Sequence, residues 1–265
     1  MFGIHSPLQN RLLAALPPAE YRRVEPYLEP VAMRRGTVLY ESGARLSHVY
    51  FPTTSIVSLL YVMADGASSE TAAVGKEGMV GVPLFTGGGS MPNRGVVRNA
   101  GYGYRLKEHI LKQEFNRIGE LHSLLLRYTQ ALLTQMAQTA VCNRHHSVSQ
   151  QLCRWLLLSL DRLDSNELNM TQEMIANMLG VRREGITEAA GKLQHSGIIS
   201  YCRGHITVLN RAALEAKVCE CYHVLRGEFE RLLPDDSIHT AHPAGGPVLA
   251  EQNPAQYKTT CHGNT

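Results

Sequence analysis

The chain is 265 residues long, 44% hydrophobic and 18% charged, and its 26 Lys+Arg against 23 Asp+Glu leave a formal charge of +3. That balance excludes an intrinsically disordered chain, which would be poorer in apolar groups and more strongly charged, and the length suffices for two domains. A near-neutral total gives no bulk argument for nucleic acid, so that case has to come from local charge and motif.

The longest apolar runs, residues 56–64 and 155–160, fall far short of the roughly 20 residues of a membrane helix. Residues 12–16, before Pro17 and Pro18, are too few for a secretory signal. Six cysteines, at 142, 153, 202, 219, 221 and 261, have the spacing of neither a disulfide framework nor a zinc knuckle. These features point to a cytoplasmic chain with reduced thiols and no membrane partner.

Residues 31–105 hold short apolar runs such as 37–40, 48–51, 56–63 and 95–97, punctuated by Gly36, Gly43, Pro52, Gly66, Gly75, Gly78 and Gly101. Short strands separated by turn signals predict an all-β sandwich or barrel, assigned to residues 20–112. Residues 113–143 contain no proline. Ile118, Leu121, Leu125, Tyr128, Leu132, Gln135 and Thr139 recur alternately three and four apart, a helical stripe of period 3.5. This predicts a dimer helix with Leu121, Leu125, Tyr128, Leu132 and Gln135 in its seam, the polar Gln135 fixing register. The alternative is an ordinary core helix.

Several short helices follow over residues 147–211. Ser147 is placed to cap the first, and Trp155, the only tryptophan, reads as core. Thr171 can cap a helix reaching about Met178, Leu179-Gly180-Val181 makes a turn, and a second helix runs from about Arg182 to His195. Ala176 is small where two helices must approach, Gly180 suits a left-handed turn, and Ile175, Leu179, Val181 and Ile186 supply a small core. Together these offsets predict a helix-turn-helix. Two β-runs around Arg203-Gly204 add a hairpin, hence a winged motif. Residues 212–232 read as a final helix, and residues 233–265, with Pro234, Pro243, Pro247 and Pro254, as a disordered tail.

Charge is opposed along this region. Residues 164–181 hold Asp164, Glu167 and Glu173 and no cation, a sum of −3. Residues 182–211 hold Arg182, Arg183, Lys192, Arg203 and Arg211 against Glu184 and Glu188, a sum of +3. The basic side begins where a recognition helix would enter the major groove. Arginine can grip guanine with two donors, and a carboxylate can accept from cytosine. The expected contacts with double-stranded DNA are Thr171, Arg182, Arg183, Glu184, Thr187, Glu188, Lys192 and Arg203. For Arg203, an ordinary solvated turn charge is the alternative.

With these motifs placed, the chain resembles Crp/Fnr-type transcription regulators over about residues 10–230, most strongly at residues 170–184 and at Gly197-Ile198-Ile199. The resemblance implies an α+β chain: an N-terminal jelly-roll-like β-roll of the cyclic-nucleotide-binding kind, a long dimerisation helix and a C-terminal winged helix-turn-helix. It matches Arg183 and Glu184 to a base-reading pair and Thr171 to a phosphate contact. Glu188 stands where the cyclic-AMP receptor has a second base-reading arginine, which implies a different DNA site. In the sensor half, Gly78, Val80 and Arg94 stand nearest the family's phosphate-binding cassette. Its ribose-holding Glu is missing, and Gly95 replaces its Ser/Thr, so cyclic AMP is not expected as effector.

The first cysteine, at 142, comes too late for an N-terminal iron–sulfur cluster. Cys142 with His145 or His146, and Cys219 with Cys221, are loosely spaced as ligands and read as free thiols and hinge or surface histidines. No metal or other cofactor is therefore expected, and no constellation of nucleophile, base and orienting residue suggests an enzyme. The sequence thus predicts a homodimeric, sequence-specific regulator reading a pseudo-palindrome, with RNA polymerase as a candidate further partner. The rival reading is a sensor or scaffold whose helix-turn-helix touches only protein.

Overall fold

A computed structural model describes residues 6–233, which lie in one compact unit. The tail expected from residue 233 falls outside the described residues except for Leu233, which packs into the core. The chain opens with two short helices, α1 (Arg11–Ala14) and α2 (Pro18–Val24). Leu12, Leu13 and Leu16 are buried, so the first core begins before residue 20, where the sequence placed its start.

Seven strands follow: β1 (Glu29–Met33), β2 (Val38–Tyr40), β3 (His48–Pro52), β4 (Ile56–Val62), β5 (Ser68–Val74), β6 (Arg94–Asn99) and β7 (Gly101–Lys107). The short α3 (Pro83–Thr86) interrupts them after β5. They form two antiparallel sheets, ordered β1-β7-β3 and β2-β6-β4-β5. Met33, Val49, Phe51, Val57, Leu59, Val97 and Leu106 bring the inner faces into one core, as a two-sheet roll requires. On β4 residues 56–60 are all buried, alternation being lost there because both faces of the strand are covered. The close approach of strands is set at Gly103, where a Cβ would lie 2.7 Å from Phe51 O.

Two helices connect roll and head: α4 (Glu108–Phe115) and α5 (Glu120–His145). The sequence predicted one helix over residues 113–143. The chain instead breaks between them at Ile118, which takes a left-handed φ of 55° and points into solvent. An exposed side chain gains nothing from burial, so Ile118 leaves the predicted stripe. Glu20 receives the N–H groups of Glu120 and Leu121 at 3.0 and 2.9 Å, capping the new helix start where Gly119 offers no side chain.

The head comprises α6 (Val148–Leu160), β8 (Glu167–Asn169), α7 (Gln172–Leu179), α8 (Arg183–His195), β9 (Ile199–Cys202), β10 (His205–Val208), α9 (Arg211–Glu215) and α10 (Cys221–Leu232). Ser147 caps α6 through a full capping box with Gln150. Trp155, Leu156, Ile175, Leu179, Ile186, Leu193, Ile199 and Ile206 form a second core, in accord with Trp155 as a core residue. The architecture is thus α+β: a β-roll, a long helix and a winged helix-turn-helix.

Candidate nucleic-acid interface and its contacts with the roll

Helix α7 begins at Thr171, whose hydroxyl accepts the N–H of Met174 at 3.2 Å. It ends at Gly180, whose φ of 65° turns the chain towards α8. Ile186, Ala189, Ala190 and Leu193 bury one face of α8. Arg183, Glu184, Thr187, Glu188 and Lys192 stand exposed on the other. Arg182 is the N-cap of α8 and makes no side-chain cap, so the first N–H groups of the helix point outward without a side-chain acceptor.

Three of the expected contact residues also bond within the motif, and one of them, Thr187, ties α8 to α7. Thr187 Oγ1 lies 2.7 Å from Gln172 Oε1 and 3.1 Å from Arg183 O, and its one proton serves one of them at a time. Glu188 pairs with Lys192 one turn on, at 2.6 Å. The hydrogen bond from Lys192 draws the Glu188 carboxyl below its ordinary range. The pair lowers the repulsion that Glu188 alone would present to phosphate.

The wing is the β9–β10 hairpin, with β8 on its other edge in the order β8-β10-β9. Arg203 and Gly204, at φ 49° and 81°, make its two-residue tip, the doubly left-handed turn that matches strand twist. Arg203 is exposed there. The tip sits against Thr171, since a Cβ on Gly204 would lie 3.3 Å from Thr171 Cγ2. Gln194 accepts the N–H of Tyr201 at 2.8 Å, and the Tyr201 hydroxyl donates to Met170 O at 2.8 Å. Thr171, the α8 face and the wing tip are therefore held by one framework, to which Gln172, Gln194 and Tyr201 contribute. Sequence reasoning missed these three, because polar side chains beside a motif look like solvated ones until their partners are known. Arg211, counted among the basic residues, is tied to Asp161 at 2.5 Å and Glu215 at 2.8 Å and belongs to the head's own ion pairs.

The long helix requires a correction. Leu121, Leu125, Tyr128, Leu132 and Gln135, expected in a dimer seam, are buried within the chain. Tyr128 donates its hydroxyl to Met79 O at 2.7 Å, and Gln135 Nε2 donates to Ala73 O at 3.2 Å. These side chains pack on the roll and have no surface left for a partner. The opposite face carries a second stripe, Ser123, Leu126, Gln130, Leu133, Ala137, Ala140 and Arg144, exposed and again alternately three and four apart. Leu126 and Leu133 are 48% and 56% exposed.

Gly78, Val80 and Arg94 do not form a pocket together. A Cβ on Gly78 would meet the Tyr128 ring at 2.5 Å, Val80 is buried in a bridge with Tyr50, and Arg94 pairs with Glu41 at 3.2 Å. A cavity does lie where β5, α5, α6 and α7 meet, lined by Glu70, Arg98, Gln135, Arg154, Trp155 and Leu179 among others. Its volume is about 20 Å³, enough for a water and not for a nucleotide. Beside it Arg98 clasps Glu70 at 3.0 and 3.1 Å, donates to Ser159 at 2.9 Å and lies 4.6 Å over the Trp155 ring. Ser58 also bonds Glu70. Arg162, at the end of α6, adds a pair with Glu77 at 2.7 Å. Burial pulls Arg98 below its ordinary value and Glu70 opposes it. The roll thus grips the head through buried charge, a contact no local sequence pattern announced.

Residues 150–217 match the Crp-like helix-turn-helix domain family. Among solved structures the chain is similar to FixK2 from Bradyrhizobium japonicum, with a TM-score of 0.63 and 17% identity over 72% of this chain and 98% of that one. It is also similar to the c-di-GMP-responsive global regulator CLP of Xanthomonas campestris, at 0.56 and 16% over 72% and 98%. A Crp-family transcriptional regulator from Thermus thermophilus matches at 0.56 and 17%, over 71% and 95%. No curated protein matches the chain. The fold is that of Crp/Fnr-family transcription regulators, with its cyclic-nucleotide-binding-like roll, and the head is a Crp-like helix-turn-helix. Among the described residues no helix is long and apolar enough to cross a membrane.

Proposed function

We propose that the chain is a sequence-specific transcription regulator that works as a homodimer on duplex DNA and has no enzymatic role. The observation that carries this reading is the two-sided character of α8. One face is sealed in the head core, and the other presents Arg183, Glu184, Thr187, Glu188 and Lys192 beside the wing tip. Laid in the major groove, α8 offers Arg183 and Glu184 to base edges. The uncapped N–H groups at Arg182, together with Thr171 and Arg203, face the phosphates. The exposed stripe of Leu126, Leu133, Ala137 and Ala140 supplies the seam between two copies, its small residues allowing close approach.

Regulation passes through the roll, because the Arg98–Glu70–Ser159 cluster and Arg162–Glu77 couple its strands to the helix that opens the head. A ligand that biases this junction biases the spacing of the two heads, which is allostery in the two-state sense. The effector in this reading is not cyclic AMP. Tyr128 occupies the space at Gly78, and Arg94 is engaged by Glu41. Effects on RNA polymerase follow from where the DNA site lies.

The test is salt-dependent binding of the purified chain to duplex DNA. Several phosphate contacts predict a steep, log-linear loss of affinity between about 50 and 200 mM salt, with preferred sequences held above the rest. Binding that is absent, or equal for all sequences and insensitive to salt, would favour the rival scaffold whose helix-turn-helix touches only protein.

A further inference from the structure

Four side chains that the proposed function does not use converge at the joint between the long helix and the head. Cys142 lies in the last turn of α5, and His146 is its C-cap, immediately before the α6 cap Ser147. Cys219 lies in the connection from α9 to α10, and Cys221 opens α10. The ligand atoms of all four lie within 4.8 Å of one another, and the three cysteines are buried free thiols. The sequence reads these residues as free thiols and hinge or surface histidines, and free thiols they are; what the sequence does not show is that α10 folds back along α5 and brings them together.

The distances have a specific meaning. Cys142 Sγ and Cys219 Sγ are 3.7 Å apart, and Cys221 Sγ and His146 Nδ1 are 3.5 Å apart. Zinc binds sulfur at about 2.3 Å and imidazole nitrogen at about 2.0–2.1 Å, so the edges of a tetrahedral site measure roughly 3.8 Å for S···S and 3.5 Å for S···N. At 3.7 Å the Cys142–Cys219 pair is a thiol–thiol contact and not a disulfide, which needs about 2.05 Å, and that separation matches a tetrahedral edge, while the four ligand atoms together lie within 4.8 Å.

The surroundings fit the same occupant. Glu220 lies 3.3 Å from His146 Nε2, the ring nitrogen turned away from the sulfurs. A carboxylate there fixes the tautomer that leaves Nδ1 free to ligate. Gln138 Nε2 lies 3.0 Å from Cys221 Sγ, a donor suited to a thiolate. Burial, the larger effect, raises the Cys142 thiol, and Arg154 opposes it with positive charge nearby; three thiolates, one neutral imidazole and a divalent ion would carry a net −1.

We propose that Cys142, His146, Cys219 and Cys221 bind one zinc ion in a closed Cys₃His tetrahedral site. Binding releases three thiol protons to solvent and changes no oxidation state. With four protein ligands the site has no open position for substrate, so its work is structural. It pins the end of α5, the start of the head and α10 to one point, which fixes the angle at which the head leaves the long helix. Metal uptake does not depend on DNA binding, so failure at this site would leave the regulator reading standing.

The test is titration of the reduced, chelator-treated full chain with cobalt(II), followed by displacement with zinc. The expected result is about one equivalent bound per chain, with thiolate-to-cobalt charge transfer and the intense visible bands of a tetrahedral site, both lost on adding zinc. Cys142→Ser and Cys221→Ser should weaken or abolish these bands, whereas Cys153→Ser, a buried thiol outside the cluster, should retain them. Absence of charge transfer in the unmodified chain would overturn the proposal, whatever the variants do. So would an undiminished tetrahedral spectrum in a chain carrying both Cys219→Ser and Cys221→Ser.

Discussion

Replacing Leu126 and Leu133 together by alanine separates the seam proposed here from the one read in the sequence. Each leucine is about half exposed in the single chain, and full burial of such a side chain contributes about 1.5–3 kcal/mol. The half still open is therefore worth roughly 0.8–1.5 kcal/mol per leucine. A two-fold dimer covers four of them, so the double variant should lose roughly 3–6 kcal/mol of association energy, or about 10²- to 10⁴-fold in dimer affinity. Sedimentation equilibrium across a dilution series measures that shift directly. Circular dichroism should show the variant folded, since neither residue belongs to the core. Leu125→Ala is the contrast. Leu125 is fully buried against the roll, so it should cost about 2–5 kcal/mol of folding stability before it touches association. An unchanged dimer in the Leu126→Ala/Leu133→Ala variant would refute the exposed stripe as the seam.

Three further outcomes follow from the geometry. Arg183→Ala should lose about 1–3 kcal/mol on a preferred DNA site and relax selectivity at one base pair; an equal loss on all sequences would make Arg183 a phosphate contact. Gly180→Ala forces a side chain into a left-handed turn and to 3.3 Å from Ser69 Oγ, so urea denaturation should show roughly 1–2 kcal/mol of destabilisation. Unaltered stability would mean that the turn is not left-handed. Glu70→Gln strips the counter-charge from the buried Arg98 and should cost about 3–5 kcal/mol by the same method. A loss below about 1 kcal/mol would mean that water reaches Arg98 and that the roll–head junction is not sealed.

What the sequence could disclose followed the range of the interactions. The helix-turn-helix was legible because its determinants lie within about thirty residues: Thr171 capping, Gly180 turning, Ile186 buried. The strand-rich roll was legible as a texture, and its sheet order was not, because pairing such as β1 with β7 joins residues far apart in the chain. The long helix shows why periodicity alone can mislead. It carries two stripes of the same period, and both Leu125 and Leu126 are leucines. Hydrophobicity cannot say which stripe meets the chain's own sheet. The richer one, ending in Gln135 with a backbone acceptor at Ala73, went to the roll. The break at Ile118 was hidden for a related reason, since an isoleucine at helical spacing gives no sign of a positive φ. The Cys₃His cluster and the Arg98–Glu70 clasp depend on chain return, and no local pattern contains them.

Sequence-selective recognition of duplex DNA by two α8 helices can be read out by selection from a randomised duplex pool with the purified chain. The expected result is enrichment of a pseudo-palindrome whose half-sites lie about 34 Å, one duplex turn, apart, with Arg183→Ala erasing preference at one symmetric position. A pool that emerges with no enriched sequence, or with a single half-site lacking its repeat, would contradict it.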